Sequence, residues 1–409
     1  MSVLQVETDP EKVGLSGERL ARIERHFSRY VDDGRLAGWL ASVARRGQVA
    51  YVAQRGQRDQ EAGTPVEADT LWRWYSMTKP ITSVAVMMLH EQGAFDLRDP
   101  VGRWIPSLAE PQVYLAGPPA KPVTRPASEP IRIWHLLTHT AGLTYGFHHV
   151  HPVDAMYRQA GFEWGHPEGM DLEACVDRWA SLPLLFDPGS AWAYSVATDV
   201  LGRLVEVVSG QPLDEHLQTR ILGPLGMSDT AFWVDGERSG RLAALYSAHP
   251  RSGLATPLDG SAALSPRPVL SGGGGLIGSA GDYHRFTQML LRGGELDGVR
   301  LLGPRSVAFM TTNHLPGGVD LEHFGHKLFA ETSYDGIGFG LGFSVTTDLA
   351  ATKGLGSVGE YGWGGAASTT FWVDPAEELT VSFFTQLMPS STHPIRPELA
   401  ALVYQAIVD

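Results

Sequence analysis

Trp72-Arg73-Trp74-Tyr75-Ser76-Met77-Thr78-Lys79-Pro80-Ile81-Thr82 is the stretch on which the reading of this chain turns. A short β-rich run ends at a serine, and the residues beyond it suit a helix. Proline is tolerated in a first helical turn, where no intrahelical donor is required of it. Ser76 and Lys79 are three apart, so on a helix they share a face and can touch. A serine hydroxyl is a feeble nucleophile until a base takes its proton. Lysine serves as that base only when neutral, a state favoured by desolvation or a nearby cation. A helix N-terminus adds backbone N–H groups and a positive dipole end beside the attacking oxygen. Ser-x-x-Lys is short enough to recur by chance, so its weight depends on its surroundings.

Further along, Phe186-Asp187-Pro188-Gly189-Ser190-Ala191-Trp192-Ala193-Tyr194-Ser195 places a tyrosine after a Pro-Gly turn. A predicted helix over 198–209 follows it. Other motifs are Leu136-Leu137-Thr138-His139-Thr140-Ala141-Gly142-Leu143, Ile221-Leu222-Gly223-Pro224-Leu225-Gly226-Met227 and Gly273-Gly274-Gly275-Leu276. Gly338-Phe339-Gly340-Leu341-Gly342-Phe343 and Trp363-Gly364-Gly365 complete the order. On these motifs, from about residue 11 to the C-terminus, the chain resembles the class C β-lactamases and penicillin-binding D,D-peptidases, and above all the family VIII carboxylesterases. Several motifs in the right order are far more specific than any one of them.

The resemblance implies an α/β (α+β) fold of the β-lactamase/D,D-peptidase type, with an antiparallel sheet flanked by helices and a mostly helical lobe. It implies a single catalytic domain over 1–409. The α/β lobe would take about 1–80 and 238–409, and the helical lobe about 81–237. It makes Ser76 the acylated nucleophile, Lys79 its partner, and Tyr194 the proton-shuttling tyrosine of a Tyr-x-Asn motif. Which of Lys79 and Tyr194 is the base stays open, since a coupled pair need not have a single answer. The backbone N–H groups of Ser76 and Ala366 would form the oxyanion hole, and Trp363, Gly364, Gly365 and Val196 would line the substrate site. Neither a cofactor nor a metal is implied. Two positions depart from the β-lactamase pattern: Val196 replaces the Asn of Tyr-x-Asn, and Trp363 replaces the Lys of an edge-strand Lys-Thr-Gly. Those lost groups receive the amide and carboxylate of β-lactams in the resembled enzymes, so their absence tilts the expectation towards neutral esters.

The rest of the chain supports a globular α/β reading. Over 18–32, Leu20, Ile23, Phe27 and Tyr30 recur at spacings of three and four, predicting an amphipathic helix. β-formers over 39–44 and 49–54 flank Arg45-Arg46-Gly47-Gln48, a hairpin signature. A second hairpin is predicted over 369–373 and 379–385, around Asp374-Pro375-Ala376-Glu377, and a closing helix over 398–408. Strands at both ends with helices between them predict one sheet assembled from distant parts of the chain. Six prolines over 111–130 argue for a loop, as does the mixture of Gly, His, Pro and aromatics over 145–170.

Hydrophobic residues make up 43% and charged residues 19%, which suits a soluble protein with a substantial core. The net charge is −13, from 45 acidic against 32 basic residues, and no basic block interrupts it, so a phosphate backbone would be repelled. Nucleic acid is therefore not the expected partner. The single cysteine, Cys175, cannot form an intramolecular disulfide. The first residues lack a signal-peptide pattern, and no apolar run approaches the roughly 18 residues of a membrane helix. The expectation is a cytoplasmic, unanchored protein; homo-oligomerisation is left open.

Several signals are set aside. No complete Gly-x-Ser-x-Gly is present, so the α/β-hydrolase elbow is not supported. His135 and His139 are four apart, but no His-Glu-x-x-His surrounds them, and a structural hydrogen-bonding role is expected. His148, His149 and His151 read as residues of a solvated loop. Gly272 to Gly275 lacks the Gly-Lys-Ser/Thr ending of a phosphate loop. The expected activity is therefore hydrolysis of short-chain acyl esters, small molecules, through an acyl-Ser76 intermediate. The rivals are a β-lactamase, a D-amino-acid peptidase or amidase, an acyltransferase to an alcohol, and a catalytically silent peptidoglycan-binding or sensor module.

Overall fold

The computed structural model describes residues 3–325 and 334–409. The elements that position the site are α1 (Gly17–Asp32), β1 (Gly38–Arg45), β2 (Gln48–Asp59), β3 (Thr64–Pro65), α2 (Thr78–Glu91), α3 (Ala197–Ser209), α4 (Ala280–Leu291), β4 (Ile337–Phe339), β5 (Ser344–Thr346), β6 (Tyr361–Gly364), β7 (Thr370–Asp374), β8 (Leu379–Phe384) and α5 (Ile395–Tyr404). The eight strands form one antiparallel sheet in the order β4-β5-β6-β7-β8-β1-β2-β3. One antiparallel sheet assembled from both ends of the chain is the arrangement expected.

Local chemistry explains the two hairpins that seed this sheet. Arg46 and Gly47 both have positive φ, 54° and 77°, as a two-residue turn between twisted strands requires. At the other hairpin Asp374 Oδ1 accepts from the backbone N–H groups of Ala376 and Glu377 at 3.0 and 3.3 Å, closing the turn. β1 and β8 then pair across the two ends of the chain, with Ala41 opposite Phe383 and Val43 opposite Val381.

β1 is buried along its whole length, so its side chains feed two cores. Trp39, Ala41 and Val43 pack with Leu20, Ile23 and Phe27 of α1 and with Leu399 and Val403 of α5. Leu40 and Ala44 belong to the opposite core, shared with α2, α3 and α4. Phe27 sits with its ring 4.8 Å from Phe383 and 6.0 Å from Trp39. Truncating such a fully buried ring to alanine costs about 3–5 kcal/mol. α1 is amphipathic and capped by Ser16, whose Oγ accepts from Arg19 N at 3.3 Å. α2 is different: every residue from Thr78 to Leu89 is buried, so it runs through the core.

Three expectations need correction. The proline-rich stretch 111–130 carries a two-stranded hairpin, Gln112–Ala116 with Val123–Pro126, because prolines are tolerated in a small ribbon outside the main sheet. The stretch 145–170 is not all loop: it contains the helix Pro152–Gln159, begun by Pro152 and capped by His151. The closing helix begins at Ile395 and ends at Tyr404, with Pro397 accommodated in its first turn.

Candidate active site

The strand Leu71–Arg73 pairs with Ile277–Ser279 and delivers the chain to Ser76. Trp74 N–H donates to Leu276 O at 3.0 Å, and Met77 N–H donates to Trp74 O at 3.0 Å. Tyr75 is forced to φ 46°, a left-handed conformation that costs a non-glycine residue about 1–3 kcal/mol and recurs at functional sites. Ser76 therefore lies in a tight turn, Tyr75–Met77, two residues ahead of the start of α2 rather than inside its first turn. Tyr283 Oη donates to Met77 O at 3.0 Å and anchors that turn from α4.

Lys79 reaches back from α2. Its Nζ lies 3.1 Å from Ser76 Oγ and donates to Gly273 O at 2.7 Å. The residue is 2% exposed. Burial pulls its ammonium down to about 7, against the opposing pull of the Asp199 carboxylate. Near neutral pH a large share of the amine is therefore unprotonated and able to accept the serine proton.

Tyr194 enters from the segment preceding α3. Lys79 Nζ lies 4.5 Å from the centre of its ring. Trp363 Nε1 donates to its hydroxyl oxygen at 3.3 Å. The tyrosine backbone is clamped as well: His148 Nε2 donates to Tyr194 O at 2.8 Å, and Ala193 N–H donates to His139 O at 3.0 Å. Tyr145 and His139 flank the Tyr194 ring at 5.3 and 5.1 Å. Burial holds His139 well below and the Tyr145 phenol well above their ordinary values, so both stay neutral.

β6 brings the third motif. Trp363 and Gly364 pair with Phe371 and Thr370 on β7, while β5 pairs only with Gly362 and Tyr361. The strand is thus third in the sheet rather than at its edge, but its last residues project beyond their neighbour. The chain then turns through Gly365 and Ser368, with Gly365 N–H donating to Thr369 O at 2.9 Å. Gly365 is needed for closeness, since a Cβ there would lie 2.3 Å from Trp74 O. This contact fixes the turn bearing Ala366 against the turn bearing Ser76.

A cleft of about 1280 Å³ joins these parts, and Ser76, Tyr194, Val196, Trp363, Gly364 and Ala366 all line it. Gly365 does not; its place is behind the wall, against Trp74. One side of the cleft is an aromatic ladder, with Tyr145 stacked on Phe147 at 4.7 Å and Phe147 on Trp164 at 4.6 Å.

Sequence reasoning missed four contributors. Asp199 and Tyr145 carry no motif of their own, and Gly273 belongs to a family-like glycine run to which the sequence assigns no role at the site. His148, expected in solvent, is buried and holds the Tyr194 backbone, while His149 is the exposed one, paired with Glu163 at 2.9 Å. His139 is structural as expected, its Nδ1 3.1 Å from Ser195 Oγ. Among the described residues no group of three or more His, Cys, Asp or Glu side chains could hold a metal ion, and no helix is long and apolar enough to cross a membrane.

The chain matches the family model described as Beta-lactamase over residues 23–405. It is 38% identical over 363 residues to Protein Rv1367c of Mycobacterium tuberculosis (strain ATCC 25618 / H37Rv), covering 88% of each chain. It is 34% identical over 396 residues to Esterase EstB of Burkholderia gladioli, covering 92% of this chain and 93% of that one. Among solved structures it is similar to EstCE1, a hydrolase with promiscuous acyltransferase activity. That likeness has a TM-score of 0.79 and 29% identity, and it covers 95% of this chain and 99% of the other. Motifs scattered over almost three hundred residues of sequence converge on one cleft, and the match runs nearly from end to end: this chain belongs to the Beta-lactamase family of serine hydrolases.

Proposed function

We propose that the chain is a carboxylesterase of the family VIII type, hydrolysing short-chain acyl esters through an acyl-Ser76 intermediate. The observation that carries this reading is the 3.1 Å approach of a fully buried Lys79 Nζ to Ser76 Oγ. Neutral Lys79 takes the Ser76 proton as Oγ attacks the ester carbonyl. The negative oxygen of the tetrahedral intermediate is received by the N–H groups of Ser76 and Ala366, a pair commonly worth several kcal/mol of transition-state stabilisation. Collapse of that intermediate breaks the bond to the alkoxy oxygen, which leaves as alcohol with a proton passed through Lys79 and Tyr194. Water then attacks the acyl-serine by the same route reversed, releasing the acid and free Ser76. The cleft would lie between an α/β lobe of about 1–80 and 238–409 and a helical lobe of about 81–237.

The named activity of Esterase EstB, similar over nearly the whole chain, supports this reading. A second reading, acyl transfer to an alcohol in place of water, is favoured by the size of the cleft and its aromatic ladder, which leave room for an apolar acceptor after the first alcohol departs. The test is turnover of p-nitrophenyl butyrate with and without alcohols, together with mass-spectrometric mapping of a fluorophosphonate label. We expect the label on Ser76 and its loss, with turnover, in Ser76→Ala. A label on another serine would sink the assignment.

A further inference from the structure

Asp199 is 3% exposed and lies in the first turn of α3, behind the glycine run that faces Lys79. Its Oδ1 accepts the Ser271 hydroxyl at 2.6 Å and the Gly273 N–H at 3.0 Å. The carbonyl of that same Gly273 accepts from Lys79 Nζ at 2.7 Å. No side chain fits between them, because a Cβ on Gly273 would sit 2.5 Å from Asp199 Oδ2. One residue thus links the carboxylate to the amine through its two ends.

The geometry has a chemical consequence. A carbonyl oxygen only accepts, so Lys79 must give Gly273 one N–H in either protonation state. A neutral amine then retains one more hydrogen and a single lone pair. With one N–H committed to Gly273, the lone pair can face the Ser76 hydroxyl 3.1 Å away. If the 271–273 turn moved, the amine could rotate and offer Ser76 a hydrogen instead, which is unproductive for deprotonation.

We propose that Asp199 is the positioning residue of this site: by bracing the 271–273 turn it fixes the Gly273 carbonyl and so aims the Lys79 lone pair at Ser76. The inference rests on the acyl-Ser76 reading above and adds to it a residue that no motif marks. Asp199 also acts through its field. The groups facing Lys79 or Asp199 from the surrounding elements are Tyr194, Tyr145, His139, His166 and Cys175. Burial disfavours the charged forms of Tyr145, His139, His166 and Cys175, leaving the carboxylate to oppose the desolvation of Lys79.

The test compares kcat and KM against pH for the wild-type protein, Asp199→Asn and Gly273→Ala, with p-nitrophenyl butyrate as substrate and thermal unfolding as the check on folding. Asparagine keeps an acceptor for Ser271 and Gly273 but not the charge, so the acid limb of its profile should move to lower pH by about one unit. Gly273→Ala keeps the charge and displaces the turn, so its kcat should fall about tenfold or more with KM little changed. A merely structural Asp199 would shift the melting temperature and leave the pH profile where it was. A folded Asp199→Asn variant whose profile superimposes on wild type, with Ser76 still labelled by fluorophosphonate, overturns the field of Asp199, and wild-type kcat in Gly273→Ala overturns its positioning of Lys79. Turnover without a label on Ser76 overturns the acyl-enzyme reading and this inference with it. Should Asp199→Asn not fold, Gly273→Ala decides: wild-type kcat in that variant overturns the proposal.

Discussion

Trp363 donates its indole N–H to the Tyr194 hydroxyl oxygen across 3.3 Å, so the residue standing where β-lactamases carry lysine is bonded to the tyrosine. An indole N–H cannot accept, which makes Tyr194 oxygen the acceptor and leaves its own hydrogen to point elsewhere. A donor on that oxygen also favours the phenolate over the phenol. Trp363→Phe keeps the ring and its apolar area but removes the donor. We expect kcat to fall about tenfold, since a hydrogen bond to a forming charge contributes about 1.5 kcal/mol, with KM nearly unchanged. Steady-state kinetics at saturating p-nitrophenyl butyrate checks this; an unchanged kcat would show the bond to be idle.

The buried amine sets the acid side of the pH profile. Lys79 titrates at about 7, so the neutral, competent form grows as pH rises through that value. kcat/KM should climb with pH and level off above it. A limb near the ordinary lysine value would mean that Lys79 is not the group being titrated. Lys79→Ala and Tyr194→Phe should each lower kcat by about a hundredfold or more, the usual contribution of general acid–base catalysis. Lys79→Arg should not rescue, because guanidinium stays protonated at any accessible pH.

A second titrating group bears on stability rather than rate. Tyr404 on α5 donates to Asp374 Oδ2 at 2.8 Å and also contacts Glu360 Oε2. One hydroxyl hydrogen cannot serve two carboxylates at once, so Glu360 and Asp374 compete for it. Burial lifts the Glu360 carboxyl to about 7, opposed by its bond to Tyr404 and assisted by Asp374. A carboxyl raised in the folded state contributes stability that is complete below the unfolded value and fades as pH rises through the folded one. The melting temperature should therefore decline between about pH 4.5 and about pH 7. Glu360→Gln should flatten that decline; an equally steep decline in the variant would assign it to another group.

Much of the sheet was legible because its turns are chemically explicit. Arg46-Gly47 and Asp374-Pro375 announce hairpins, and the four apolar residues of α1 fall on one face. What misled was proline. The six prolines over 111–130 argue for a loop yet a small ribbon accommodates them, and Pro152, inside the expected loop 145–170, sits in a first helical turn, where a missing N–H costs nothing. At the site, Ser76 and Lys79 were legible because three residues along one chain bring them together. Asp199 and Gly273 are 74 residues apart and meet only through tertiary packing, so no local pattern could have joined them. His148 was misplaced for the same reason: its loop surroundings look polar, while its burial comes from Tyr194 and the aromatic ladder.

A preference for neutral esters over β-lactams is expected from what the cleft offers an anion. A β-lactam carries a carboxylate whose desolvation is costly unless a cation or several donors receive it. Trp363 brings no charge, and its single N–H is already engaged by Tyr194. Val196 is 4% exposed and presents methyl groups where an amide could have held the side-chain carbonyl of the antibiotic. A neutral acyl chain loses nothing by either change and gains apolar contact along Trp363 and the Tyr145–Phe147–Trp164 ladder. Arg396 lines the same cleft from α5, so any residual turnover of an anionic substrate should fall further in Arg396→Ala. The deciding measurement is kcat/KM for p-nitrophenyl butyrate beside nitrocefin on one preparation of protein. We expect the ester value to be higher by about a hundredfold or more, the scale on which a site with no cation at the position of Trp363 discriminates. A nitrocefin value equal to or above the ester value would overturn the esterase reading in favour of a β-lactamase.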